Sequence, residues 1–109
     1  MNNIALITGA TSGFGKAIAE RFAAERWNLI LTGRRKDRLD ALEQQLRDEF
    51  GIAVITLNFD VRSLDECTSH LEQLGPEWRS IDLLINNAGL ALGRESFVDG
   101  SIDQWNTMI

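Results

Sequence analysis

"TGATSGFG", Thr8 to Gly15, follows the short apolar run "IALI" and leads into "KAIAERFAAER". "NIALI" is too short for a helix and reads as a buried strand, while Ile18, Ala19, Phe22 and Ala23 recur at helical spacing over Phe14 to about Arg26. Gly9, Gly13 and Gly15 therefore fall in a strand-to-helix turn, where backbone N–H groups and the positive end of a helix can meet an anion without side chains in the way. Their spacing, G-x-x-x-G-x-G, is close to the dinucleotide-binding fingerprint without matching it. A P-loop is the rival, because Lys16 follows Gly15. It fails on spacing, since five residues and not four separate Gly9 from Gly15, and on chemistry, since Ala17 stands where a Ser or Thr should hold magnesium.

The same alternation continues downstream. "WNLILTG" reads as a second strand and is followed by a helical stripe of Leu39, Leu42 and Leu46 that stops near Gly51. "IAVITLNF" is a third strand. Ser63 with Glu66 forms a capping box that opens a helix striped by Leu64, Cys67, Leu71 and Leu74, ended by Gly75 and Pro76. "IDLLINNAG" is a fourth strand, and a loop through Gly89, Gly93 and Gly100 leads to a further helix opening at Ser101 with Gln104, its stripe being Ile102, Trp105 and Met108. Strands alternating with helices predict an α/β fold: a doubly wound parallel sheet of Rossmann type, β-α-β-α-β-α-β plus the start of one more helix. There is no repeat, linker or low-complexity segment, so residues 1–109 read as part of a single domain.

Composition narrows the function. The 109 residues are 44% hydrophobic and 25% charged, an ordinary globular balance, and a net charge of −5 leaves no broad basic face for nucleic acid. A phosphate ligand must be held locally. One cysteine, no leader pattern in "MNNIALITGA" and no apolar run of membrane-spanning length predict a cytoplasmic protein with no membrane partner.

A dinucleotide site needs a residue about 20 positions past the glycines, at the end of the second strand, to read the adenosine ribose. That end is "TGRR". An acidic residue would bond a free 2′-hydroxyl and repel a 2′-phosphate, whereas Arg34 and Arg35 present donor forks suited to phosphate, which points to NADP. The alternative is that both arginines are solvated residues leading into a charged helix. "FDVR" places Asp60 at the end of the third strand, able to accept from an adenine amino group with Val61 on the ring, or simply to open the turn before Ser63. Asn87, Ala88 and Gly89 of "NNAG" end the fourth strand in the same row, where amides can bond cofactor or neighbouring backbone. Cys67 reads as core packing, His70 as part of a solvated helix face, and Trp27, Trp78 and Trp105 as packing at element ends.

With the glycine loop, "GRR", "DV" and "NNAG" in this order, the chain resembles the classical short-chain dehydrogenases/reductases along all 109 residues. "GFG", "TGRR", "PEW..IDLLINNAGLALG" and "W.TMI" look most like their NADP-dependent 3-hydroxy acid (serine) dehydrogenase group. The resemblance implies cofactor contacts at Gly9, Ala10, Thr11, Ser12, Gly13 and Phe14, at Arg34 and Arg35, at Asp60 and Val61, and at Asn87 to Gly89, with Gly15 closing helix to strand; it also implies a homotetramer. Phe14 stands where an aliphatic residue is usual, and Ser12 where many NADP-preferring relatives carry a basic residue. The family's catalytic tyrosine, lysine and serine are not assignable here, and the sequence contains 0 tyrosines. The expectation is the N-terminal part of an NADP-dependent oxidoreductase interconverting a hydroxy compound and its ketone, with the catalytic half beyond Ile109. The alternative is a non-catalytic NADP(H) sensor or scaffold that ends there.

Overall fold

The structure, a computed structural model, describes residues 2–60 and 63–87, and for Leu64 the backbone only. Val61, Ala88 and Gly89, the loop through Gly93 and Gly100, and the helix expected from Ser101 lie outside the described residues.

Eight elements follow one another: β1 (Ile4–Ile7), α1 (Gly13–Ala24), β2 (Asn28–Gly33), α2 (Lys36–Phe50), β3 (Val54–Asn58), α3 (Leu64–Glu72), a 3-10 turn (Pro76–Trp78) and β4 (Leu83–Ile85). The strands form one parallel sheet in the order β3-β2-β1-β4. Every strand up to β3 is added on one side of β1, and β4 then crosses to the other, so the direction of winding reverses between β1 and β4. Ligands of such sheets bind outside the carboxyl ends of the strands at that reversal.

Both faces of the sheet are covered, which is why its strands are continuous apolar runs and not alternating ones. Ala5, Ile7, Leu29 and Leu31 point to one face with Ala19 and Ala23 of α1 and Leu39, Leu42 and Leu46 of α2. Ile4, Leu6, Ile30 and Leu84 point to the other, with Phe59 and with Cys67, Leu71 and Leu74 on and just after α3. Each fully buried leucine or isoleucine contributes about 1.5–3 kcal/mol by leaving water. On α1 the sheet-facing row is Gly15, Ala19 and Ala23, all buried. Residues this small allow the helix axis close to the sheet, and that closeness fixes where the loop before it can run.

Helix ends follow the sequence signals in part. Gly51 ends α2 in the left-handed conformation (φ 67°) with its N–H donated to the Arg47 carbonyl. α1 ends the same way without a glycine. Arg26 takes φ 70°, its N–H and that of Trp27 are donated to the carbonyls of Ala23 and Phe22, and Phe22 and Trp27 close the turn edge to face with centroids 5.0 Å apart. The aromatic pair offsets the strain of an arginine there. At α3 only half of the expected capping box forms: the Ser63 hydroxyl accepts from the Glu66 N–H at 3.3 Å, while the Ser63 N–H is donated to the Asp60 carbonyl. β4 is shorter than the run "IDLLINNAG" suggests, because Asn86 and Asn87 leave the ladder to bond the glycine loop.

Candidate functional site: the carboxyl edge of the sheet

The loop leaving β1 is held from three sides. Thr8, fully buried, donates its backbone N–H to the Ile85 carbonyl at 3.0 Å and its hydroxyl to Asn86 Oδ1 at 3.0 Å, clamping the end of β1 to the end of β4. The Ala10 N–H is donated to the Thr32 carbonyl at 3.0 Å, tying the loop to β2. Gly9 turns the chain with φ 62°, a conformation that favours glycine. Its carbonyl then accepts from the Ser12 hydroxyl at 3.0 Å and from the Asn87 amide at 3.0 Å. Asn87 also donates to Ser12 Oγ at 3.0 Å, and the same Ser12 oxygen caps α1 by accepting from the Gly15 N–H at 3.1 Å.

Gly13 and Gly15 have opposite surroundings. A Cβ on Gly15 would collide with the Gly9 carbonyl oxygen and lie 2.8 Å from Asn87 Nδ2 and 3.0 Å from Ala10 Cα, so this glycine lets helix and loop touch. A Cβ on Gly13 would meet nothing within 4 Å. Among the described residues no protein atom therefore faces Gly13. The N–H groups of Thr11, Gly13 and Phe14 make no hydrogen bond within the described residues, whereas those of Ala10, Ser12, Gly15 and Lys16 do. Three unused donors at the start of a helix form a cradle for an anion such as pyrophosphate. Phe14, a large apolar side chain 76% exposed, stands beside them.

The corner after β2 is built otherwise. Arg34 and Arg35 are both exposed, and Arg35 occupies the N-cap of α2 with no side-chain cap bond. Pairing of Gly33 with Asn58 brings the end of β3 alongside. As a result the Arg34 guanidinium lies 3.7 Å from Asp60 Oδ2, with side chains 64% and 31% exposed. At that distance and exposure the pair is worth about 0–1 kcal/mol and leaves Arg34 able to turn to another anion. Sequence spacing gave no sign that these two residues meet. The Asp60 carbonyl accepts from the Ser63 N–H at 2.9 Å, which agrees with the reading of this residue as opening the turn.

Thr32 was not singled out by sequence. Its hydroxyl is buried and has no partner among the described residues. Strand alternation puts it on the α3 face, one residue beyond the Ile7–Leu31 pair of the β1–β2 register. Cys67 packs as expected, 1% exposed, and burial pushes its thiol up to about 11. His70 differs from expectation: half-buried, it stacks on Phe59 with ring centroids 4.7 Å apart and 15° between planes. Trp27 and Trp78 pack at element ends as expected, each against one of the two cores, and Trp105 lies outside the described residues.

A tight glycine turn at the winding reversal, unused amides in front of it and asparagines from the fourth strand behind it agree with the family whose model, short chain dehydrogenase, matches residues 3–109. The chain belongs to that family. It is similar to the NADP-dependent 3-hydroxy acid dehydrogenase YdfG of Salmonella typhi, 47% identical over 106 residues that make up 97% of this chain and 41% of that protein. Serine 3-dehydrogenase of Agrobacterium fabrum is 46% identical over 110 residues, 100% of this chain and 42% of that protein. Among solved structures, a short-chain dehydrogenase from Sphingobium yanoikuyae in complex with NADPH superimposes with a TM-score of 0.69 at 44% identity, covering 82% of this chain and 34% of that one. This chain thus spans about two fifths of the length of the curated relatives it matches. Among its described residues no helix is long and apolar enough to cross a membrane.

Proposed function

We propose that residues 1–109 are the cofactor-binding part of an NADP-dependent oxidoreductase that interconverts a hydroxy compound, with 3-hydroxy acids such as serine as the first candidates, and its ketone. The observation that carries this reading is the pairing of two unlike anion sites on one sheet edge: unused backbone N–H groups at Thr11, Gly13 and Phe14, and exposed Arg34 and Arg35 with no acidic residue before Asp37. The names of the relatives support the reaction class and the cofactor.

The residues present fit the cofactor. Gly9 to Phe14 would hold the pyrophosphate through main-chain donors, and the open space at Gly13 admits it. Gly15 sets the approach of α1 to that loop. Arg34 and Arg35 would take the 2′-phosphate, Asp60 and Val61 the adenine, and Asn87 to Gly89 the inner side of the cofactor, with Asn87 also fixing Gly9 and Ser12. When bound, NADP supplies a nicotinamide that accepts or donates hydride. This chain's own contribution is to bind and orient; the acid/base that moves the substrate proton would come from a catalytic half beyond residue 109. Cytoplasmic action as a homotetramer completes the proposal.

The test is kinetic. Full-length protein assayed with L-serine and other 3-hydroxy acids should show a kcat/KM with NADP well above that with NAD, and its coding sequence should contain Y-x-x-x-K downstream of residue 109. A preference for NAD, or a reading frame without that motif, would overturn the assignment.

A further inference from the structure

Most described cations are already engaged. Arg21, Arg34, Lys36 and Arg47 sit in ion pairs, Arg26 is donated to the Phe50 carbonyl, and Arg79 reaches back to the carbonyls of Leu74 and Glu72. Among the described residues Lys16, Arg35 and Arg38 have no hydrogen-bonding or ion-pair partner for their side chains. In a chain of net charge −5 the free positive side chains among the described residues are thus gathered at the starts of α1 and α2.

Two of them share a cavity. A groove of about 200 Å³ between α1 and α2 is lined by Thr11, Lys16, Arg38, Ala41, Leu42 and Gln45. Leu42 is buried and Lys16 and Arg38 are exposed, so the floor is apolar and the charges stand at the edge. Water occupies about 30 Å³ in the liquid, which gives the groove room for a hydrated phosphate group. Thr11 places it: its methyl group is 3.4 Å from where a Cβ on Gly33 would lie, so one wall of the groove touches the residue just before Arg34. Gln45 is not available to a ligand, since its amide is donated to Glu20 at 3.0 Å.

We propose that Lys16 and Arg38 are further specificity-determining residues for the 2′-phosphate, lining with Thr11 a groove next to the corner that carries Arg34 and Arg35. The inference rests on the cofactor reading above. Ser12 contributes a hydroxyl already shared between Gly9, Gly15 and Asn87 and carries no charge, so the loop side of the phosphate has no cation of its own except Lys16. Flanked on one side only, the phosphate would keep exposed oxygens in water; between two pairs of cations it exchanges that water for charge-assisted bonds.

The experiment is calorimetric titration of the full-length protein with 2′,5′-ADP and with 5′-AMP, which differ only by the 2′-phosphate. Lys16→Gln and Arg38→Gln should each weaken 2′,5′-ADP about fivefold and together by more than tenfold, with 5′-AMP unchanged within about twofold. Arg47→Gln, on the same helix but paired with Glu43, should change neither. If wild type does not prefer 2′,5′-ADP, the cofactor reading fails and takes this inference with it. If the preference exists and falls with Arg34→Ala, Arg35→Ala but stays within about twofold in Lys16→Gln, Arg38→Gln, the groove alone is wrong. An equal loss in Arg47→Gln would also overturn it, by showing net charge to be the cause.

Discussion

The turn before α1 and the corner before α2 are neighbours on one sheet edge, yet they present hydrogen-bond donors in opposite ways. The first is all backbone: Ser12 caps the helix, Asn87 and Thr32 brace the loop, and the unused donors are main-chain N–H groups at Thr11, Gly13 and Phe14. The second is all side chain, with an arginine at the N-cap, no cap bond, and guanidinium groups in solvent. Rigid main-chain donors suit a group common to every dinucleotide. Exposed charges on jointed side chains suit the one group that differs, and can be changed without touching the fold. On the proposed reading, holding and choosing fall to different segments of one sheet edge.

That division can be broken most severely at Gly15. Gly15→Ala puts a methyl against the Gly9 carbonyl and Ala10 Cα, backbone atoms that cannot rotate away, and should cost about 3 kcal/mol in urea unfolding of the full-length protein while abolishing nucleotide binding. A variant that unfolds like wild type would show that the loop is not braced as described.

Gly13→Val is the sharper companion. With nothing within 4 Å of its Cβ, stability should stay within about 0.5 kcal/mol, but branched bulk in front of the free amides should weaken NADP and NAD alike, by at least tenfold. Should binding survive while Lys16→Ala abolishes it for both nucleotides, the loop works more like a P-loop.

The corner is tested by Arg34→Ala, Arg35→Ala. Each charge-assisted bond contributes about 1.5–3 kcal/mol, so loss of one arginine should lower kcat/KM for NADP about 10- to 100-fold and loss of both by more, with NAD hardly altered. A change in their ratio below about threefold would return both arginines to the role of solvated helix leaders.

Ser12→Ala removes a cap and should cost about 1 kcal/mol of stability, equally with and without the 2′-phosphate on the ligand. An effect confined to alkaline pH belongs to Cys67, buried in the core on the α3 side of the sheet. Its thiol is raised from 9.0 to about 11 by burial, so the folded protein holds its proton where the unfolded chain loses it. Stability is untouched below about pH 9 and declines between pH 9 and 11. Thiol reagents at pH 8 should leave native protein unlabelled, and Cys67→Ala should flatten the alkaline decline; labelling of native protein at the rate of unfolded chain would contradict the burial.

How much was legible beforehand depends on range. Every strand and helix of the described part was visible as a local period, the N-cap residue Ser63 included, because burial on one face of a helix repeats every three to four residues and burial on both faces of a strand leaves an unbroken apolar run. The glycine loop was legible because its constraint is local too: a left-handed φ at Gly9 and no room for a Cβ at Gly15. Ser12 as the cap of α1 could have been read from its place just before the helical stripe. His70 could not, since its partner Phe59 lies on the preceding loop and a half-polar helix looks the same from sequence whether or not one ring packs against it.

The amino-acid sequence by itself determined the order of elements, the glycine turn between β1 and α1 and the pair of arginines, since each follows from conformational and chemical preferences of residues close in the chain. Only the tertiary structure decided what those pieces meet. Parallel pairing of β2 with β3 sets Arg34 beside Asp60, the crossing of the chain to β4 brings Asn87 onto Gly9 and Ser12, and packing of α1 against α2 opens the groove between Lys16 and Arg38. These contacts join residues separated by tens of positions, and strand order, the one variable that fixes such meetings, carries no local period to be read.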